Sequence, residues 1–473
     1  MNEAEEPDRS ALLRRLPSVD RCLRLQEGVP GPLAREAARR LLESLRGELL
    51  AGGRPDLEAL FEDRGLAGAL AEVRRRLETP AHRRVVNATG ILLHTGLGRA
   101  PLPRAARAAL VEVSGQALVE VDPESGKRGR RERAVAALLR RLTGAEAALV
   151  VNNNAAATLL ALDALARGGE VPVSRGELVE IGGGFRMPEV MAQAGCRLVE
   201  VGSTNRTRLD DYARAIGPET RALLKVHPSN FRIEGFTASV PLADLVTLGE
   251  EHGLPVLEDQ GSGYLLQEPL PHDGRERPVS RSLEEGAALV CFSGDKLLGS
   301  CQAGLLAGRK EAVDRAASHP LYRALRCDKC QLAALEATLR IYLHGNPKEE
   351  IPVLRAIFRP LEELEAEGEA LVKALAPAAR SLSFEAVLRP SPAYVGSGAT
   401  PARSIASLAV VLGSTGGGSP RELARRLRLA RPSIWGRVEE DALWLDLRSL
   451  EPGDAGEVVR VFEGFASGGD ASS

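Results

Sequence analysis

A primary amine is scarce in this chain. Of its 62 basic side chains only seven are lysines, at 127, 225, 296, 310, 329, 348 and 373, and the rest are arginines. Arginine grips oxyanions but is a poor amine nucleophile, so few residues could form a covalent bond with a carbonyl. Lys296 stands in Phe292–Ser300, FSGDKLLGS, directly after the apolar run Ala287–Cys291, which predicts a short buried strand. Ser293-Gly294 ends that strand, leaving Lys296 at its carboxyl end, where open α/β sheets bind ligands. A partly desolvated amine there can form a Schiff base with an aldehyde cofactor such as pyridoxal phosphate. Taken alone, a lysine after a strand is more often solvated.

Other strand ends supply partners. Val256-Leu257-Glu258-Asp259-Gln260 places Asp259 one predicted strand before Lys296. A pyridoxal ring needs such a carboxylate to keep its nitrogen protonated. Lys225–Asn230, KVHPSN, offers His227, Ser229 and Asn230, with Asn230 placed for the ring hydroxyl. Asn152-Asn153-Asn154 follows the apolar run Ala147–Val151 and opens an Ala/Leu helix. Asparagine is a favoured N-cap, and the free N–H groups of a first helical turn suit a phosphate, so Asn153 and Asn154 are phosphate-side candidates. Ser293 and Lys296 are three residues apart, near enough for a hydroxyl and an amine to meet one cofactor.

Oxyanion candidates lie further off. Arg99 closes a glycine loop, HTGLGR, and Arg323 and Arg326 are spaced for one helical face. Residues 126–133, GKRGRRER, are either a solvated face or a phosphate grip. Cys327 and Cys330 form a CxxC, but no second pair stands at metal spacing, so structural thiols and no metal are expected.

These residues need a scaffold. Short apolar strands at 147–151, 170–173, 197–201, 222–226, 255–257 and 287–291 alternate with helical patterns, which predicts an α/β fold with a mostly parallel, doubly wound sheet. Three domains are expected: a helical module at 1–78, the large domain at 79–335, and a small α+β domain at 336–473 with strands at 405–412 and 442–447. From Arg9 to Val86 there are 16 arginines, no lysine and 11 acidic residues, a local excess that could meet a nucleic-acid backbone or simply form solvated i,i+4 pairs.

The totals restrict the class. A net charge of −2 excludes a general polyanion binder, and no run approaches the roughly 18 apolar residues of a membrane span. The acidic MNEAEEPDRS start is no signal peptide, and six cysteines in 473 residues suggest reduced thiols in a cytoplasm.

As an ordered set, LPSVD at 16–20, NATG at 87–90, GKRG at 126–129, NNNAAA at 152–157, RGE at 175–177, KVHPSNF at 225–231, EDQGSG at 258–263, SGDKLLG at 293–299 and LYRALRCDK at 321–329 resemble the bacterial selenocysteine synthases, the L-seryl-tRNA(Sec) selenium transferases. The resemblance spans nearly the whole chain. It implies a pyridoxal-phosphate enzyme of the aspartate-aminotransferase fold type that converts L-seryl-tRNA(Sec) to L-selenocysteinyl-tRNA(Sec) by β-replacement through an aminoacrylate, with selenophosphate as donor. It also implies a tRNA-holding N-terminal domain and a ring of dimers, a homodecamer. Residue by residue, Lys296 matches the family's cofactor lysine, Asp295 its acidic neighbour, and Arg99, Arg323 and Arg326 the arginines that hold the selenium donor. Asp259 matches the ring-nitrogen partner by analogy of fold type. The chain departs from the family at Gly96, commonly Asn, and at Ser300-Cys301, commonly Gly-Pro. Two other readings are a related pyridoxal-phosphate lyase acting on a small amino acid or amino-sugar acid, which needs no N-terminal module, and a non-catalytic RNA-binding protein on the same fold.

Overall fold

The computed structural model describes residues 9–26, 28–51, 60, 62–181, 184–228, 231, 233–271, 276–396 and 404–468. Two compact units divide the chain, Met1–Arg84 and Val85–Ser473.

The first unit is helical. Its longer helices are α1 (Gly31–Leu50) and α2 (Asp63–Glu78). Apolar residues recurring at helical spacing bury Ala38, Leu41 and Leu45 of α1 against Leu66 and Leu70 of α2 and against Cys22. On the outer faces Glu36 takes Arg39 and Arg40, and Glu72 takes Arg75 and Arg76, at 2.7–2.8 Å and at i,i+3 and i,i+4 spacing. The helical arginines are therefore partly paired within their own helices.

The second unit is built on a seven-stranded sheet. Its strands in chain order are β1 (Ala147–Val151), β2 (Glu170–Ser174), β3 (Arg197–Val201), β4 (Leu223–Val226), β5 (Val256–Gly261), β6 (Leu289–Ser293) and β7 (Gly304–Gly308). In space they run β1-β7-β6-β5-β4-β2-β3. All neighbours are parallel except β7, which pairs antiparallel with both β1 and β6. The central strands open on apolar runs because both faces are covered, whereas β3, at the sheet edge, keeps Arg197 and Glu200 exposed. One face carries Leu223, Val256, Val290 and Phe292 under helix α3 (Arg133–Thr143) and Lys329–His344. The other carries Leu224, Leu257, Leu289 and Cys291 under helix α4 (Asn154–Ala166). The α/β, mostly parallel, doubly wound expectation holds, with β7 as the unread strand.

The C-terminal segment adds a four-stranded antiparallel sheet. Phe384–Tyr394 lies at its edge and pairs with Ser404–Ser414, which pairs in turn with Ala442–Asp446. The segment at 85–93 joins this part of the fold. Val85–Asn87 runs parallel to Ser433–Trp435, and the Leu92 and Leu93 N–H groups bond Tyr394 and Val395 carbonyls at 2.9 and 2.8 Å. Helix Lys329–His344 runs through the 335/336 boundary, burying Leu332, Leu335 and Leu339 on the large sheet.

Candidate active site

The strand β6 and the loop after it are buried without interruption from Cys291 to Ser300. Lys296, 4% exposed, is thus withdrawn from solvent and not a surface lysine. Its amine hydrogen-bonds to no described residue and faces a cavity of about 300 Å³. Arg99, Asn153, Asn154, Asp259, Ser293 and Asp295 line that cavity with it. Strand pleating explains the convergence. Asp259 and Ser293 lie on the sheet face of Leu257, Leu289 and Cys291, the face covered by α4. A register shift between Asp259 and Gly261 bends β5 at its end, and Gly261, at φ 72°, leaves open space beside the amine. A Cβ there would stand 3.7 Å from Lys296 Nζ and 3.9 Å from Asp259 Oδ1.

Asp259 is held on both oxygens. Asn154 Nδ2 donates to Oδ1 at 2.8 Å and Thr158 Oγ1 donates to Oδ2 at 3.0 Å. Both donors sit on α4, one turn apart. Asn153 caps that helix, its side chain accepting the Ala156 N–H at 2.8 Å. Burial raises the Asp259 carboxyl above its ordinary value, opposed by the Asn154 bond and the Lys296 charge. Burial also lowers the Lys296 amine, Arg99 adding to this while Asp259 and Asp295 oppose it.

Arg99 reaches the cavity through the 85–99 segment. It adopts left-handed backbone, φ 62°, and its Nη1 meets Asp295 Oδ2 at 2.9 Å, while the next N–H, of Ala100, bonds the Asp295 carbonyl at 3.2 Å. The departures after the lysine loop are stitched in. Thr338 Oγ1 donates to the buried Ser300 Oγ at 3.0 Å, and Cys301 Sγ to the Gln331 carbonyl at 3.4 Å.

Not every expected residue converges. Arg323 and Arg326 do not line the cavity. Arg323 is exposed, and Arg326 Nη1 lies 3.9 Å from Glu120 Oε1. Nor do they share a helical face: the helix is Pro320–Leu325, and Arg326 follows it in extended backbone. That helix adjoins the site, since its Leu325 carbonyl accepts the Asn152 N–H at 2.9 Å. The 126–133 run is ion-paired, with Glu120 taking Arg128 and Arg131 and Asp122 taking Arg133. Asn230 lies outside the described residues. Among the described residues no acidic, histidine and cysteine cluster could hold a metal.

Three contributors escaped the sequence assignment. Thr158 was readable, being one turn after Asn154 on an otherwise apolar helix. His227, a polar strand-end residue with no role assigned, lines the cavity, its N–H bonded to the Asp259 carbonyl at 2.9 Å. Glu177 accepts both Lys225 Nζ at 2.7 Å and the Val226 N–H at 3.0 Å, fixing the end of β4. Nothing local in the sequence marks that contact.

The architecture is a known one. The solved structure of D-glucosaminate-6-phosphate ammonia-lyase superposes with a TM-score of 0.55 at 20% identity, over 82% of this chain and 96% of that one. The family is narrower. Residues 85–451 match the sequence model of the family described as L-seryl-tRNA selenium transferase. An L-seryl-tRNA(Sec) selenium transferase of Moorella thermoacetica is 46% identical over 97% of this chain and 99% of its own length. One of Desulfovibrio desulfuricans is 46% identical over 95% and 97%. The chain belongs to the L-seryl-tRNA selenium transferase family.

Proposed function

We propose that this protein converts L-seryl-tRNA(Sec) to L-selenocysteinyl-tRNA(Sec) in the cytoplasm, with pyridoxal phosphate at Lys296 and selenophosphate as the selenium donor. The observation that carries the reading is the buried Lys296 amine facing the buried Asp259 carboxylate in a chain of this family.

The residues fit the cofactor. The first turn of α4, capped by Asn153, offers N–H groups to a phosphate. Gly304 keeps that turn open, since a Cβ there would fall 2.0 Å from the Asn153 carbonyl oxygen. Among the described residues no cation forms an ion pair with the buried Asp259 carboxylate, a place that a protonated ring nitrogen would fill. When bound, pyridoxal phosphate provides the electron sink for bond breaking at the substrate α-carbon.

The chain's own groups do the rest. Asp259 holds a proton on the ring nitrogen, itself fixed by Asn154 and Thr158. Lys296 Nζ, which burial keeps more neutral than a surface amine, takes the proton from the seryl Cα and returns it. Asp295 holds Arg99 in place at the cavity wall. Arg99 from within, with Arg323 on the adjoining helix and Arg326 just after it, grips the phosphate of the donor, because the guanidinium fork matches phosphate oxygens. The arginine-rich module at 1–78 is assigned to the tRNA backbone, and the working assembly to a ring of dimers.

The test is selenium transfer to seryl-tRNA(Sec) from selenophosphate by the yellow, cofactor-loaded protein, with Lys296→Ala and Arg323→Ala beside it. Wild type should convert the aminoacyl group, Lys296→Ala should be colourless and inert, and Arg323→Ala should show a raised donor KM. Loaded wild type that leaves seryl-tRNA(Sec) unchanged would sink the reading.

A further inference from the structure

In the substrate just proposed, serine is esterified to the terminal ribose of an unpaired RNA end. That ribose must sit at the mouth of the Lys296 cavity, and its base must go somewhere adjacent. The Lys296 cavity, at about 300 Å³, is at the small end for a ligand site and is taken up by cofactor and seryl group.

A second cavity of about 680 Å³ adjoins it, the two sharing Val226 and His227 as walls. It lies on the opposite face of the same strands. Lys225 and Glu258, cross-strand partners, line it, while of the next pair along Asp259 belongs to the Lys296 side and Val226 borders both. Glu258 is 6% exposed, and its Oε2 has no hydrogen-bond partner among the described residues. His227 Nδ1, in the shared wall, is likewise unpartnered. A buried polar atom left so costs stability unless a ligand satisfies it. Phe231 and Ile233 add an apolar side.

The lip is ordered and aromatic. Asn205 Nδ2 and Arg206 Nε donate to the Phe236 carbonyl at 2.7 and 3.2 Å, and the Ala238 N–H bonds the Asn205 carbonyl at 3.0 Å. These bonds fix the Phe236 backbone between the lining residues Gly235 and Thr237, and the residue is 85% exposed, the most exposed of the large apolar residues described.

We propose that this second cavity receives the terminal nucleoside of the aminoacyl-tRNA, with Phe236 at the lip stacking the unpaired base before it. The proposal rests on the seryl-tRNA reading. Single-stranded ends are bound by aromatic platforms, because every base has a face to stack. Burial raises the Glu258 carboxyl, opposed by Ser282 and Arg277 beside it, and its unpartnered Oε2 in the cavity wall can accept the exocyclic amine that an adenine edge presents. Arg206 at the lip suits the intervening phosphate.

The test measures binding of two RNAs to full-length, cofactor-loaded protein: tRNA(Sec) with its intact 3′ end and the same tRNA lacking the terminal nucleoside. Trimming should weaken binding to wild type about tenfold. Glu258→Leu, which removes the polar group at similar volume, should weaken intact tRNA about tenfold and leave trimmed tRNA unchanged. Ser239→Trp, at an exposed lining residue, should do the same by obstruction, so misfolding of one variant does not decide the matter. Phe236→Ala should weaken both RNAs at unchanged assembly size. Equal affinity of wild type for the two RNAs, or equal losses on both with Glu258→Leu and Ser239→Trp, would overturn the proposal. A smaller assembly for Phe236→Ala by light scattering would assign the lip to a second copy and overturn it too. Wild type binding neither RNA would instead bring down the seryl-tRNA reading beneath it.

Discussion

At the scale of single residues, burial separates Lys296 from the other six lysines. Its lowered proton affinity leaves a larger neutral fraction at any pH below the ordinary lysine value of about 10.4. The amine should therefore condense with pyridoxal phosphate at about pH 7, in preference to the exposed Lys310. Cyanoborohydride trapping and peptide mapping across pH would show this, and equal labelling of Lys310 at neutral pH would contradict it. Asp259→Asn keeps the side-chain volume but removes the charge opposite a ring nitrogen. We expect bound cofactor with kcat reduced by about 100-fold or more, read from the absorbance of the loaded protein and single-turnover rates. The lysine was legible because lysines are few and only one follows a strand within Ser-Gly-Asp. Its burial was not, since that comes from ten consecutive buried residues closed over by distant helices. Nor could spacing show that Arg323 and Arg326 stand outside the cavity that Arg99 lines.

At the scale of elements, the site depends on α4 meeting two strand ends. Asn153→Ala removes a helix cap and should cost about 1 kcal/mol of stability, visible as a lower denaturant midpoint. Gly304→Ala is harsher, because a Cβ would meet the Asn153 backbone at 2.0 Å and neither strand nor helix start can yield cheaply. Cofactor affinity should fall at least about tenfold by absorbance titration, and an unchanged affinity would refute the role given to α4. The cap was readable from three asparagines after an apolar run. Strand β7 was not: Gly-Leu-Leu-Ala-Gly has neither β-branched residues nor alternation, and only its place between β1 and β6 makes it a strand. Phe384–Tyr394 hid for another reason. Pro390 and Pro392 argue against a strand, yet the segment lies at a sheet edge, where a missing N–H is tolerated.

At the scale of the whole molecule, charge is distributed locally. The chain carries −2 overall, while the stretch from Arg9 to Val86 has 16 arginines against 11 acidic residues. If this unit holds RNA phosphates, deleting residues 1–84 should abolish tRNA binding and leave cofactor uptake intact. The logarithm of wild-type affinity should fall linearly with the logarithm of salt concentration, at roughly 0.9 per phosphate contact for a duplex. Full tRNA affinity in the deleted protein would contradict that role. Composition announced this excess, but not that Glu36 and Glu72 each pair with two arginines across helical turns. Among the described residues, no helix is long and apolar enough to cross a membrane.

Glu258 and Asp259 are joined by one peptide bond and carry the same functional group, yet the pleat of β5 sends them to different chambers. The sheet is thus a partition, and neighbours in the chain are strangers in chemistry. Losses at Asp259 should fall on turnover, and losses at Glu258 on substrate capture. Adjacent carboxylates would then separate kcat from KM across a wall one strand thick.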